Sequence, residues 1–231
     1  MDALVAAAIH DAKNQLSALC VWLGEAQREF SALTSASSPA LGRALSITTT
    51  LSAQLVELLA LYRAGEGSLR LAVEDHYLDD FQAELMAELE QSRPLTQSGA
   101  EERSEIAITC SFEAAAKLGS WAFDAYLVKF ALLDALRNAL RHARSQVRIS
   151  LVAEAGGGIR FDIEDDGEGF PDDILRAEAS GEMSAGSSGL GLSFARLIAA
   201  RHATPAGRHG ALQLCNDGLG GAGAHFSLHL P

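Results

Sequence analysis

Apolar residues recur every three or four positions along the start of the chain: Val5, Ile9, Ala12, Leu16, Leu19, Leu23, Ala26 and Phe30. That spacing is the seam of a coiled-coil-like helix. The segment Ser31–Pro39, rich in Ser and small residues, then reads as a loop. A second seam, Leu41, Ala44, Thr48, Leu51, Leu55, Leu58 and Tyr62, predicts a second helix. Two such helices joined by a short loop make an αα-hairpin. One hairpin cannot cover two long apolar stripes, so the pattern predicts a homodimer closed as a four-helix bundle. Ala64–Ser68 (AGEGS) reads as a linker, which divides the chain into residues 1–65 and 69–231.

Beyond the linker the texture changes. Leu69–Val73 reads as a strand, Leu78–Glu90 as an amphipathic helix, and the polar run Gln91–Arg103 as a loop. Ile106–Phe112 alternates as a strand does. A helix over Phe123–Ala143 carries Leu132, Leu133, Leu136 and Leu140 inward. The strands Val147–Ala153 and Ile159–Ile163 flank Gly156-Gly157-Gly158, a hairpin turn. Helix Leu190–Arg201 and the strand pair Ala211–Leu214 and Ala224–Leu230 close the chain. This order predicts an α+β sandwich, a mixed sheet with helices packed on one face.

The composition sharpens that picture. Across 231 residues, 48% are hydrophobic, which excludes a disordered chain. A formal charge of -12 argues against general binding to nucleic acid or to an anionic membrane. It leaves room for a nucleotide, which needs only backbone amides and one or two cations. Cys20, Cys110 and Cys215 are isolated, with no metal-ligand spacing, which points to a reducing compartment. The run Leu4–Ile9 lacks a basic flank, so it is not read as a signal peptide. No apolar run is read as approaching the ~20 residues of a membrane span. The expectation is a soluble, cytoplasmic protein.

Four polar patches carry candidate chemistry. In Ile9-His10-Asp11-Ala12-Lys13-Asn14-Gln15-Leu16, His10 and Asn14 fall outside the apolar seam, one above the other. Asp11 can hold one ring nitrogen of His10 and leave the other free as a nucleophile. On the long helix, Asp134 and Asn138 are four apart and share a face, offering oxygen ligands for Mg²⁺ or a held water. Glu164-Asp165-Asp166-Gly167-Glu168-Gly169-Phe170-Pro171 follows a strand. Its glycines allow a sharp turn and close approach by a flat ring, and a carboxylate before them can accept from an exocyclic amine. Gly186-Ser187-Ser188-Gly189-Leu190-Gly191-Leu192 opens into a helix, whose free amides and dipole favour phosphate.

Each patch alone is a weak signal, but their order is specific. The segments NALRHA, DDGEG, GSSGLGL and the ending GAHFSLHLP resemble the ATP-binding domain of the histidine kinases, a fold shared with gyrase, Hsp90 and MutL. The helix with HDAKNQL resembles the dimerisation and histidine-phosphotransfer domain of the same kinases. The resemblance implies His10 as phosphoacceptor and Asp11 as its polarising neighbour. Asn138 would coordinate Mg²⁺, with Arg141 and His142 near the phosphates of ATP. Asp165 would bind the adenine amine in a pocket shaped by Gly167 and Gly169, and Ser188, Gly189, Leu190 and Gly191 would begin the phosphate-side helix. It implies a response-regulator receiver domain as partner. It also raises a phosphatase activity toward that partner, with Asn14 or Gln15 as the amide that orients water.

Some features depart from the family pattern. Asp134 stands where many such kinases have Asn, a gyrase-like feature that raises water activation and ATP hydrolysis. Pro171–Ala185 has no Phe-rich box, so the lid is expected to be short and mobile. Arg201–Gly210 replaces the common His-Gly-Gly turn. Only ~15 Å of helix precedes His10, so the expectation is an excised core or a signal delivered by a separate sensory protein. Two other readings remain: a phosphotransfer protein with a vestigial ATP site, and an anti-sigma-type serine kinase or plain ATPase in which His10 is ordinary surface.

Overall fold

A computed structural model describes residues 2–34, 38–92, 106–180 and 189–231. The chain forms two compact units, one of Met1–Leu69 with Glu90–Glu102 and the other of Arg70–Leu89 with Arg103–Pro231.

In the first unit, α1 (Asp2–Thr34) and α2 (Pro39–Gly65) pack together as the predicted hairpin. Ser38 caps α2, its Oγ accepting from Leu41 N at 3.4 Å, and Pro39 is the first helical residue. Proline suits that position because its missing N–H would be unsatisfied there anyway. The packing face shares part of the predicted seams and departs from the rest. On α1, Leu16, Cys20, Leu23 and Gln27 are half-buried, and Cys20 Sγ lies 3.8 Å from Thr49 Oγ1. On α2 the buried residues are Thr48, Ala53, Val56, Glu57, Leu59 and Ala60. Seam residues Leu19, Phe30, Leu51 and Leu58 are instead exposed, beside Val21, Trp22 and Ile47.

One expectation needs correcting. Ala40–Gly65 is long and apolar enough to cross a membrane by length and composition alone. The sequence reading missed this because Arg43, Glu57 and the Thr and Ser residues interrupt any continuous apolar run. Such a composition also suits a helix packed along one side, as α2 is on α1.

The second unit opens with β1 (Glu74–Tyr77) and α3 (Leu78–Ser92), followed by β2 (Ala107–Ser111) and α4 (Ala115–Leu118). Then come β3 (Ser120–Phe123), α5 (Ala125–His142), β4 (Gln146–Ala153) and β5 (Ile159–Asp165). The chain continues through α6 (Asp172–Ser180), α7 (Gly189–Arg201), β6 (Ala211–Cys215) and β7 (His225–Leu230). A two-stranded ribbon pairs β1 with β3, and a five-stranded mixed sheet runs β2-β4-β5-β7-β6, with only β2–β4 parallel. The α+β architecture with a mixed sheet is therefore present. Leu69–Val73 is not a strand: Ala72 N donates to Asp124 Oδ2 at 2.9 Å, and pairing begins only at Glu74. Most of Gln91–Arg103, read as a loop, lies outside the described residues.

Alternation sorts the sheet into two faces. Val147, Ile149, Leu151, Ile159, Phe161, Ile163, Phe226 and Leu228 are buried on one. Phe161 meets Phe81 at 5.7 Å and Phe112 at 5.8 Å, while Phe81 meets Phe123 edge-on at 5.0 Å, an arrangement aromatic quadrupoles favour. Leu132, Leu133 and Leu136 of α5 are enclosed as expected. The other face is polar, with Arg148 forking onto Glu164 at 2.7 and 2.8 Å across β4 and β5.

Helix α5 begins where Asp124 caps it, Oδ1 accepting from Leu127 N at 3.0 Å. Asp124 N in turn donates to His202 Nε2 at 3.0 Å, just past the end of α7, and the other ring nitrogen of His202 donates to Ile198 O at 2.8 Å. Burial holds this imidazole below its usual pKa range, so it serves as a neutral strut between α5 and α7.

Candidate functional site

The structure brings the three C-terminal patches to one place. The end of β5, the C-terminal half of α5 and the first turn of α7 converge around Asp165, Asn138 and Gly191.

Asp165 is 3% exposed at the last position of β5. Its Oδ1 accepts from Gly167 N at 2.8 Å and Ala224 N at 3.1 Å. Its Oδ2 makes no hydrogen bond among the described residues, so one oxygen is anchored and the other is free to accept. Gly167 is required by space: a Cβ there would stand 2.5 Å from the His142 carbonyl oxygen at the end of α5. Gly169 turns with φ +83° against Asn216. The Asn216 amide clasps the next residue from both sides, accepting from Phe170 N at 2.7 Å and donating to Phe170 O at 2.9 Å.

The neighbouring carboxylate has a different task. Asp166 accepts from Arg144 N, Ser145 N, Gln146 N and Ser145 Oγ at 2.6 to 3.1 Å, tying the start of β4 to the end of β5. Desolvation would raise its pKa, but the Ser145 hydroxyl and these amides outweigh that and hold it well below the usual carboxylate range.

On α5, Asn138 Nδ2 donates to Asp134 Oδ2 at 3.2 Å. This fixes the amide with its carbonyl oxygen turned away, engaged by nothing among the described residues. Asp134 abuts Gly191 so closely that any side chain at 191 would collide with the carboxylate. Burial raises the Asp134 pKa, opposed by the charges of Arg137 and Arg141 and by the Asn138 hydrogen bond. Arg141 and His142 are exposed at the end of α5. Gly189 opens α7 and Leu190 is 38% exposed, while Ser188 lies outside the described residues.

The expected lid is corrected over its first half. Asp172–Ser180 is α6, joined to α7 by the Glu178–Arg196 ion pair, while 181–188 lie outside the described residues. His10, Asp11, Asn14 and Gln15 are all in α1; Asn14 and Gln15 are exposed, and the side chains of His10 and Asp11 are outside the described set.

Sequence reasoning missed Asn216 and Ala224, which grip the pocket from the β6–β7 connection. Ala224 acts through its backbone amide and leaves no side-chain signature. The Asn in Cys-Asn-Asp-Gly did offer one, since Asn favours such loop-bracing bonds.

Residues 124–231 match the model of the histidine kinase-, DNA gyrase B- and HSP90-like ATPase family. No relative is found among curated protein sequences. Among solved structures, an Acinetobacter baumannii histidine kinase, AdeS, matches at 18% identity and TM-score 0.56, over 84% of this chain and 85% of that one. Full-length ShkA in complex with AMPPNP matches at 21% identity and TM-score 0.57, over 94% of this chain and 45% of that one. The catalytic domain of the histidine kinase ThkA, nucleotide-free, matches at 15% identity and TM-score 0.53, over 70% of this chain and 96% of that one. Residues 124–231 are thus similar to the histidine kinase-, gyrase- and HSP90-like ATPases, and the chain shares its fold with these solved histidine kinase structures.

Proposed function

We propose that this protein is an ATP-dependent histidine kinase of a two-component system. His10 takes the γ-phosphoryl group of ATP and passes it to an aspartate on a response-regulator receiver domain. The observation that carries the nucleotide half of this reading is Asp165, with one oxygen anchored by two amides and the other available to an adenine amine. The phosphotransfer half rests on α1, where His10, Asp11 and Asn14 lie on a helix of a two-helix hairpin.

The protein's task in such a reaction is to position groups and neutralise charge. Asp165 fixes the base, and the α7 N-terminus supplies amides toward phosphate. Mg²⁺ would neutralise phosphate charge, and Asn138 fits it because its amide nitrogen is committed to Asp134 while its oxygen is unengaged. Asp11 would keep one imidazole nitrogen of His10 protonated, leaving the other lone pair to attack. The exposed Leu19, Val21, Trp22, Phe30, Ile47, Leu51 and Leu58 support a homodimer closed through the hairpin. Three free cysteines fit a cytoplasmic location, with input from a separate sensory protein.

Incubation with γ-labelled ATP tests the reading. The parent should incorporate acid-labile label, and His10→Gln should lose it while binding ATP unchanged. Label that persists in His10→Gln, or that survives acid, would overturn the assignment. Asp134 supports a second reading, since a half-buried carboxylate with raised pKa beside the phosphate-side helix suits activation of water. ATP turnover that outruns phosphoprotein formation and collapses in Asp134→Asn would favour that plain ATPase.

A further inference from the structure

On the polar face of the sheet, where β6 ends and β7 begins, three metal-ligating side chains meet outside the site described above. Cys215 and His225 are directly paired across β6 and β7, so alternation sends both side chains to the same face. Asp217 closes over them from the connecting loop. Its Oδ1 lies 2.8 Å from Cys215 Sγ and 2.9 Å from His225 Nδ1, and the candidate ligand atoms of the three residues all fall within 4.8 Å of one another.

The surroundings orient the imidazole as a ligand. Ser227 Oγ donates its proton to Asp162 Oδ1 at 2.7 Å, so both neighbours of His225 Nε2 are acceptors: the Ser227 oxygen at 3.0 Å and Asp162 Oδ1 at 3.2 Å. Nε2 therefore carries a ring proton, and Nδ1 faces the same Asp217 oxygen that accepts from the Cys215 thiol. When the ring is protonated Nδ1 donates to Asp217, and a cation held between the three ligand atoms would take the place of that proton. Asp162 and Ser227 are 4% and 5% exposed, and Arg160 further fixes Asp162 at 2.9 Å. A buried carboxylate behind a histidine, setting its tautomer and direction, is the outer-shell arrangement of metal-ligating imidazoles.

We propose that Cys215, Asp217 and His225 form a Zn²⁺ site on the outer face of the sheet. One thiolate, one imidazole and one carboxylate suit Zn²⁺ better than the hard cations. Tetrahedral zinc at its usual bond lengths separates ligand atoms by roughly 3.3–3.5 Å, so each short contact to Asp217 opens by less than about 1 Å. Coordination releases the Cys215 thiol proton and the Nδ1 proton of a charged His225 to solvent. Exposed Asp217 gives the ion a path in, and water completes a three-ligand set.

The placement gives the site a consequence. Asn216, which clasps Phe170, stands between two of the ligands, and Ala224, whose amide anchors Asp165, directly precedes the third. Zinc would stiffen both grips on the pocket loop at once. This consequence, unlike the metal site itself, rests on the nucleotide-binding reading.

The test uses the full chain and Co²⁺ as a spectroscopic stand-in. One equivalent should give a thiolate-to-cobalt charge-transfer band in the near ultraviolet, displaced by one equivalent of Zn²⁺. The band should vanish in Cys215→Ser and survive in Cys20→Ser/Cys110→Ser, where Cys215 is the only thiol. Asp162→Asn should weaken Zn²⁺ binding about 10–100-fold, and Ser227→Ala repeats that check should the buried substitution impair folding. No band in the parent, or a band that persists in Cys215→Ser, overturns the site. ATP affinity should tighten severalfold with Zn²⁺ in the parent and not in Cys215→Ser. Equal affinities would remove the coupling and leave the metal site standing, whereas absence of any ATP binding would strike the nucleotide reading instead.

Discussion

In the unit that begins at Arg70, Phe123, Phe161, Phe194 and Leu132 are fully enclosed by their own chain, whereas in the hairpin Trp22, Ile47 and Val21 are 66%, 61% and 56% exposed. Seven of the twelve large apolar side chains exposed among the described residues belong to the hairpin. The sheet unit completes its core within one chain. The hairpin leaves much of its apolar surface in water, at about 25 cal/mol for each Å². That exposed surface is what the proposed homodimer would cover, whereas the sheet unit encloses its core within one chain.

The largest effect should come from breaking the enclosed side of that contrast. Phe161→Ala removes the ring shared by Phe81 and Phe112 and should cost about 3–5 kcal/mol in denaturant unfolding. Trp22→Glu should leave the unfolding of the sheet unit where it was and shift mass toward monomer in light scattering. A parent that is monomeric at micromolar concentration would overturn the proposed homodimer.

Next in size, Asp165→Asn should weaken ATP binding by about 1.5–3 kcal/mol, roughly ten- to hundredfold, read by calorimetry. Unchanged affinity would put the adenine elsewhere. Its neighbour sharpens the distinction between site and scaffold. Asp166→Asn should spare ATP affinity and cost ~1 kcal/mol of stability, discounted for partial exposure. The sign with pH follows from its depressed folded-state pKa: the stabilisation is present above the unfolded value of about 3.9 and fades as pH falls toward the folded one. The parent and Asp166→Asn should therefore converge in acid. A gap that widens there would contradict the clasp.

The smallest effect is on the hairpin surface. Asn14→Ala should retain autophosphorylation and slow loss of phosphate from the regulator, because position i+4 shares the face of His10 while i+5 turns away by ~140°. If Gln15→Ala slows it instead, the other amide does the work, and if neither does, the protein lacks that second activity.

How far the sequence was legible follows the same line between side-chain and backbone information. The i,i+4 pair Asp134 and Asn138 and the DDGEG turn announce themselves by residue type and spacing, and the fold brings both beside Gly191 and Asp165. The shape of the hairpin was legible too, but its face only in part. A heptad stripe predicts one seam, and the exposed Leu51 and Leu58 show that the intrachain contact uses the adjoining stripe. Helix α6 escaped notice because Asp172–Ser180 has only Ile174 and Leu175 as large apolar residues, too few to establish a period. Leu69–Val73 reads as a strand by composition, but pairing needs a partner, and β3 begins to match it only from Glu74. The separate duties of Asp165 and Asp166 depend on amides from Ala224 and Arg144–Gln146, which are distant in sequence and chemically featureless as letters.

The strand order carries a consequence for how this molecule is made. β7 comes after every other strand in the chain, yet it sits inside the sheet, between β5 and β6. Until residues 225–230 leave the ribosome, β6 lacks the strand it pairs with among the described residues, and β5 offers an open row of amides and carbonyls to any passing chain. The sheet therefore cannot close during synthesis of its own middle strands. A nascent chain stalled before His225 would hold Phe161 and Ile163 on an unfinished layer, a form that invites aggregation and chaperone capture.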